Sequence, residues 1–201
     1  MNLVELQKEN LPIDTQVIDD WYPGGFEDDF EYGETIKEYF KKLGFKLLGT
    51  GAFGAVFGHP KLNYVIKFFK DKSYLEYIEF CKKNSSPHLP KFRGKLMKSK
   101  KYPNINAIRI EKLSIIPSDI INGYLDIIAP LFTSKLKFRT KFKSLNGIIQ
   151  EQNMTEYFTE DLYNILSRLY TIHPNRVDFY NPNNIMFRET DKKIVITDPW
   201  G

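Results

Sequence analysis

Cysteine is almost absent: one, Cys81, stands in 201 residues. A lone thiol excludes an internal disulfide framework and points to a reducing, cytoplasmic setting. Histidine is scarce too. His59, His88 and His173 are scattered, none with a partner at ligand spacing, so a histidine-built metal site is not expected. No charge-free apolar run is long enough to span a bilayer, and no basic segment at the N-terminus leads into an apolar one. Neither a membrane span nor a secretory signal is therefore expected. Against these absences stand 42% hydrophobic and 15% aromatic content, sufficient for a real core. The length fits one domain, or one domain in two lobes.

Charge is unevenly placed. The net value is +4, yet residues 1–44 hold eleven acidic and four basic side chains, a balance of −7 that leaves +11 for the rest. Such asymmetry suits an acidic partner, or docking of one part of the chain on the other, although a solvated surface accounts for most of the charges. Residues 1–33 show little periodicity, but Trp21, Tyr22, Phe26, Phe30 and Tyr32 are interleaved with Glu27, Asp28, Asp29 and Glu31. Disordered segments carry few aromatics, so this acidic extension is expected to pack on the body. Glu34–Leu43 reads as a short helix stopped by Gly44.

The stretch on which the rest turns is Gly49-Thr50-Gly51-Ala52-Phe53-Gly54-Ala55-Val56, followed by Tyr64-Val65-Ile66-Lys67. It reads as strand, glycine turn, strand, then a third strand carrying a lysine. Glycines at this spacing let backbone N–H groups approach phosphate oxygens where a Cβ would block them. A dinucleotide fingerprint would run from the glycines into a helix; here Val56-Phe57 continue as strand and His59-Pro60 mark a turn, which favours the kinase form G-x-G-x-x-G-x-V with its lysine on the next strand. A hairpin using glycine for its turn and lysine at its edge would show the same residues, so the far end of the chain must decide.

Strands are expected over Phe45–Leu48, Ala55–Phe57 and Tyr64–Phe69, then a helix from Ser73 to Lys83 with Leu75, Ile78 and Phe80 turned inward. A phosphate-binding lysine needs a carboxylate to hold it. The helix offers Glu76 and Glu79; Glu76 is preferred, because Phe80 one turn on would hold that face against the core. Ser86–Phe92 leads into a fourth strand, and Ala107–Leu113 reads as a fifth running into a hinge. Pro117–Phe132 has helical spacing in Ile120, Ile121, Tyr124, Leu125 and Ile128. Lys135, Lys137, Arg139, Lys141 and Lys143 then alternate with apolar residues, the pattern of an extended segment with one basic face, suited to an acidic protein surface or nucleic-acid phosphates. A helix is expected over Met154–Ile172, capped by Thr155 and ended by Pro174.

After that helix comes Asp178-Phe-Tyr-Asn-Pro-Asn183-Asn184-Ile-Met-Phe187, then a turn over Arg188–Lys193 and the strand Ile194-Val-Ile-Thr ending at Asp198. Phosphoryl transfer needs a carboxylate near the attacking hydroxyl, plus an amide oxygen and a second carboxylate for magnesium. Asp178, Asn183 or Asn184, and Asp198 supply that set in order. An Asx-rich turn accounts for the loop but not for Asp198 closing an apolar strand, nor for the glycine stretch at the other end.

Together these residues resemble a protein-kinase-like fold, and within it the early serine/threonine kinase of autographiviral (podovirus-type) bacteriophages. The similarity rests on Phe45-Lys-Leu-Leu-Gly-Thr-Gly-Ala-Phe, His59-Pro60, Val65-Ile-Lys67, Glu79-Phe-Cys81, Asn184-Ile-Met-Phe187 and Ile196-Thr-Asp-Pro199, and covers about residues 43–201. It implies an α+β, two-lobed fold: an acidic extension and lead-in helix over 1–44, an N-lobe with an antiparallel five-stranded sheet over 45–113, and a reduced, mainly helical C-lobe over 114–201. It also implies ATP and Mg²⁺ as cofactors, transfer to protein serine or threonine, and interference with host functions in the host cytoplasm. Gly49, Gly51, Gly54, Val56 and Lys67 would then hold nucleotide, with Glu76 pairing Lys67 and the backbone of Glu111 to Leu113 meeting the adenine edge. Asp178 would accept the hydroxyl proton, and Asn184 (or Asn183) with Asp198 would hold Mg²⁺.

Some positions depart from the pattern. Arg176-Val177 precede Asp178 where most kinases have His-Arg, a pair that the phage family also lacks, and Asp198-Pro-Trp replaces Asp-Phe-Gly. The loop is one residue longer than the family's spacing: Asn183 keeps the distance from Asp178, while Asn184 keeps the junction with Ile-Met-Phe. With only three residues after Asp198, no peptide-docking platform is expected. Substrate recognition would fall to the extension, the basic segment, a second copy or a partner. Two other classes fit the same residues: a pseudokinase that inhibits a host protein by binding, and a small-molecule kinase of the aminoglycoside-phosphotransferase kind.

Overall fold

A computed structural model describes residues 37–51, 54–100, 104–133 and 142–200. The extension over 1–33, the loop-tip residues Ala52 and Phe53, and Lys135, Lys137, Arg139 and Lys141 lie outside the described residues. The chain is α+β and forms two compact units. One runs up to Ile78 and resumes over Lys91–Lys112; the other takes Glu79–Pro90 and the chain from Leu113 onward.

In the first unit, residues 37–42 are helical and Gly44 ends the helix as its position predicts. Gly44 has φ +82° and donates to the Lys41 carbonyl at 2.9 Å, while Phe45 N–H donates to Phe40 at 2.8 Å. This is the double-bonded helix stop that a left-handed glycine permits. It brings the Phe45 ring to 5.2 Å from that of Phe40, at the centre of the core. Phe45 is thus a core residue at the helix exit, one position before the strand it was expected to begin.

Strands β1 (Lys46–Gly51), β2 (Gly54–Gly58), β3 (Tyr64–Phe69), β4 (Phe92–Lys98) and β5 (Asn106–Glu111) form an antiparallel five-stranded sheet in the order β1-β2-β3-β5-β4. Period-two alternation sorts β3: Tyr64, Ile66 and Phe68 enter a core with Phe40, Phe57, Ala55 and Ala107, leaving Lys67 on the other face. Helix α1 (Lys72–Lys83) starts where Asp71 accepts the Ser73 N–H at 2.9 Å. Its inward residues include Tyr74, Tyr77, Ile78 and Phe80, whereas Leu75 is only half-buried. The two tyrosines displace Leu75 from the expected face because 74, 77 and 78 lie one turn apart and the Tyr74 ring packs on Phe69, Tyr77 and Phe92.

In the second unit, β6 (Ser114–Ile115), β7 (Ile185–Arg188) and β8 (Lys193–Ile196) make a small antiparallel sheet in that order. Its helices are α2 (Ser118–Thr133), α3 (Asn146–Glu151) and α4 (Glu160–Ile172). Two expectations are corrected. The helix read from Met154 with a Thr155 cap begins only at Glu160, because Thr159 Oγ1 accepts the Leu162 N–H and Glu160 and Asp161 occupy the first turn, where carboxylates suit the helix dipole. Residues 154–158 fold as a tight turn instead, with Phe158 N–H on the Met154 carbonyl at 2.7 Å. The basic stretch was expected to stay extended to Lys143, but Phe142–Leu145 is a 3-10 turn that directs Leu145 inward and leaves Lys143 exposed. Among the described residues no helix is long and apolar enough to cross a membrane.

Candidate functional site

The first unit carries the glycine hairpin and the lysine. In β1 and β2, Gly51 pairs with Gly54 across the turn, and Val56 pairs with Lys67 on β3. The three glycines are not equivalent. A Cβ on Gly54 would sit 2.4 Å from the Phe68 carbonyl oxygen, so internal packing alone demands glycine there. A Cβ on Gly49 or Gly51 would meet nothing within 4 Å, and neither has a positive φ. Neither packing nor backbone conformation among the described residues requires glycine at those two positions.

Lys67 is half-buried, its Nζ 3.6 Å from the centroid of the Tyr74 ring. Glu76 lies on the exposed side of α1. In the second unit, Glu79 is exposed and paired with Lys82 at 3.1 Å, a contact that water largely screens. Glu111 is buried, and its Oε1 accepts the Lys91 N–H at 2.9 Å while its own N–H donates to the Lys91 carbonyl at 2.9 Å. The Lys112 N–H donates to Asn63 at 3.0 Å. Two of the three N–H groups expected to meet an adenine edge are therefore committed to holding β3, β4 and β5 together. The Leu113 N–H makes no bond among the described residues.

The second unit carries the acidic set, and here the structure brings Asp178, Asn184 and Asp198 together. Asp178 Oδ2 accepts the side-chain amides of Asn181 at 3.0 Å and Asn184 at 2.9 Å. Oδ1 accepts no hydrogen bond among the described residues. The Asn184 carbonyl in turn accepts the N–H groups of Thr197 at 2.8 Å and Asp198 at 3.4 Å, and the Asp178 N–H donates to Pro199 at 2.8 Å. The loop is thus sewn to the end of β8 at both ends. Pro182–Asn184 form a 3-10 turn capped by Asn181, whose Oδ1 accepts from the Asn183 N–H at 3.1 Å. Asn183 is exposed, while Asn184 and Asp198 are half-buried.

Trp200 anchors this corner. It bridges Val177, its indole N–H donates to the Leu169 carbonyl at 3.3 Å, and its ring meets His173 edge-on at 4.6 Å. Three contributors escaped the sequence reading: Tyr74, Asn181 and the Pro199-Trp200 pair. Only Asn181 left a signal, since an Asn before proline is a common turn cap.

Among the described residues no three His, Cys, Asp or Glu side chains group into a metal cage of their own. Magnesium bound through a nucleotide needs only one or two carboxylates, the phosphates supplying the rest, and Asp198 with the Asn184 side-chain oxygen fits that role. Comparison with protein-family models and with curated proteins gives no match to this chain.

Proposed function

We propose that the protein is an ATP-dependent phosphotransferase with a protein-kinase-like two-lobed fold, acting on serine or threonine hydroxyls of proteins. The observation that carries this reading is the Asp178 carboxylate, with Oδ2 held by two amides, Oδ1 without a hydrogen bond among the described residues, and its loop bonded through Asn184 to Asp198. Magnesium-bound ATP supplies the phosphoryl group and neutralises charge on it. Gly49 and Gly51 leave space for phosphate oxygens at the backbone, and Lys67 provides the fixed cation. Asn184 and Asp198 present oxygens for the metal. Asp178 orients the hydroxyl and takes its proton through Oδ1 as the new O–P bond forms and ADP leaves with the electrons of the broken bond. The similarity to phage early kinases makes proteins of an infected cell the acceptor class.

The test is incubation with γ-labelled ATP and Mg²⁺, with and without bacterial lysate, beside Asp198→Ala. Protein-bound label in the wild type and none in the variant is expected. Label in the small-molecule fraction alone would move the assignment to a small-molecule kinase. A nucleotide-induced rise in Tm without any transfer would make the protein a nucleotide-gated binding module, and absence of both would overturn the reading.

A further inference from the structure

We propose that Asn181 is a positioning residue that fixes the Asp178 carboxylate, holding Oδ2 so that Oδ1 is left for the acceptor hydroxyl. In its catalytic purpose this rests on the phosphotransfer reading. The loop from Asp178 to Asn184 is one residue longer than the spacing of the family it resembles, and the geometry gives the extra length a use. It allows Pro182–Asn184 to close a 3-10 turn, which swings Asn181 back under Asp178. Every polar group of Asn181 is then engaged. Oδ1 accepts from Asn183 N–H, the carbonyl accepts from Asn184 N–H at 3.0 Å, the N–H donates to the Asp178 carbonyl at 3.4 Å, and Nδ2 donates to Asp178 Oδ2.

A single donor would leave the carboxylate free to swivel. Two amides on one oxygen, from Asn181 and Asn184, make rotation break both bonds at once. Between Asp178 and Ile185 the chain has no lysine or arginine. Neutral amides therefore orient the carboxylate without neutralising it, where a cation in the loop would draw both oxygens into an ion pair. If Asn181 only capped the turn, any good cap would serve in its place.

Asn181→Ser separates the two roles, since it keeps a capping oxygen and loses the amide donor. The expected result is an unchanged Tm, a KM for ATP within about threefold of wild type, and a kcat lower by about tenfold or more. Wild-type kcat in Asn181→Ser would overturn the proposal. A second readout needs no turnover: the side-chain amide resonances of Asn181 and Asn184 are expected to shift together in Asp178→Ala. An Asn181 signal that ignores this change sinks the proposal alone. A wild-type protein that transfers no label while the signal still moves sinks the phosphotransfer reading and the catalytic purpose with it.

Discussion

The ammonium of Lys67 rests on the face of the Tyr74 ring, 3.6 Å from its centroid. Tyr74 is itself buried and wedged among Phe69, Tyr77 and Phe92, so the ring has little freedom to move. A cation over a fixed aromatic face gains about 0.5–2 kcal/mol, more as water is excluded. Tyr74→Phe keeps the ring and is expected to bind nucleotide like the wild type. Tyr74→Leu removes the π face and is expected to weaken nucleotide binding about fivefold, by direct titration. Equal affinities in the two variants would show that the ring does not seat the lysine.

The glycines divide by cause. Gly54→Ala drives a methyl into the Phe68 carbonyl and is expected to lower stability by about 1–3 kcal/mol in urea unfolding. Gly49→Ala and Gly51→Ala meet open space and are expected to leave stability within about 0.5 kcal/mol. Nucleotide affinity should fall in these two, by about tenfold. Unchanged affinity would return the hairpin to a purely structural role.

Asn183 and Asn184 are adjacent but differently placed. Asn184→Ala loses the amide on Asp178 and the side-chain oxygen offered to metal, and is expected to reduce transfer by about a hundredfold or more. Asn183→Ala changes an exposed side chain and is expected to stay within about threefold of wild type. Labelling rates at saturating Mg²⁺ compare them.

Tyr124 on α2 has a fully buried hydroxyl with no hydrogen-bond partner among the described residues, and burial pushes its phenol well above the ordinary range. Removing a buried, unsatisfied polar group relieves its desolvation, so Tyr124→Phe is expected to match the wild type or gain up to about 1 kcal/mol. A loss beyond that in denaturant titration would reveal a partner for the hydroxyl.

His88 is wholly buried in the second unit. Its Nδ1–H donates to the Ile194 carbonyl at 2.7 Å, and Nε2 meets Thr159 Oγ1 at 2.9 Å, the same oxygen that caps α4. Burial, with help from Lys193 and Arg188 and opposed by the Ile194 bond and Asp161, holds its pKa below the ordinary 6.5. As pH falls, the unfolded chain takes up this proton first. The stability is therefore complete above about pH 6.5 and is lost below it, with a slope of at most about 1.4 kcal/mol per pH unit. His59, shifted down by burial and by Lys61 and Lys112, adds in the same sense. Urea midpoints between pH 7.5 and 5.5 are expected to fall more steeply for the wild type than for His88→Gln; parallel curves would refute the assignment.

What the sequence made legible follows from local physics. The apolar residues around Lys67 marked β3, and Gly44 marked a helix end whose φ few other residues adopt. The order Asp178, Asn184, Asp198 showed which side chains to watch. Three things stayed hidden because they depend on partners far along the chain. Thr155 and Thr159 look alike as caps until the tight turn over 154–158 forms. Leu75 looked inward on helical spacing alone, and only the packing of the Tyr74 ring between Phe69 and Phe92 turns the helix to another face. The backbone of Glu111 and Lys112 read as a free hinge edge, and only the fold shows Lys91 and Asn63 accepting its N–H groups.

The shared carbonyl of Asn184 has a thermodynamic consequence. One residue holds the Asp178 carboxylate through its side chain and the backbone of Thr197 and Asp198 through its carbonyl, so the chain that carries both acids is tied at a single point. Their order is settled during folding, before any ligand arrives. A calorimetric titration of metal-nucleotide would then show little ordering entropy from this half of the protein, and Asn184→Ala would make binding entropically worse before it made it enthalpically weaker.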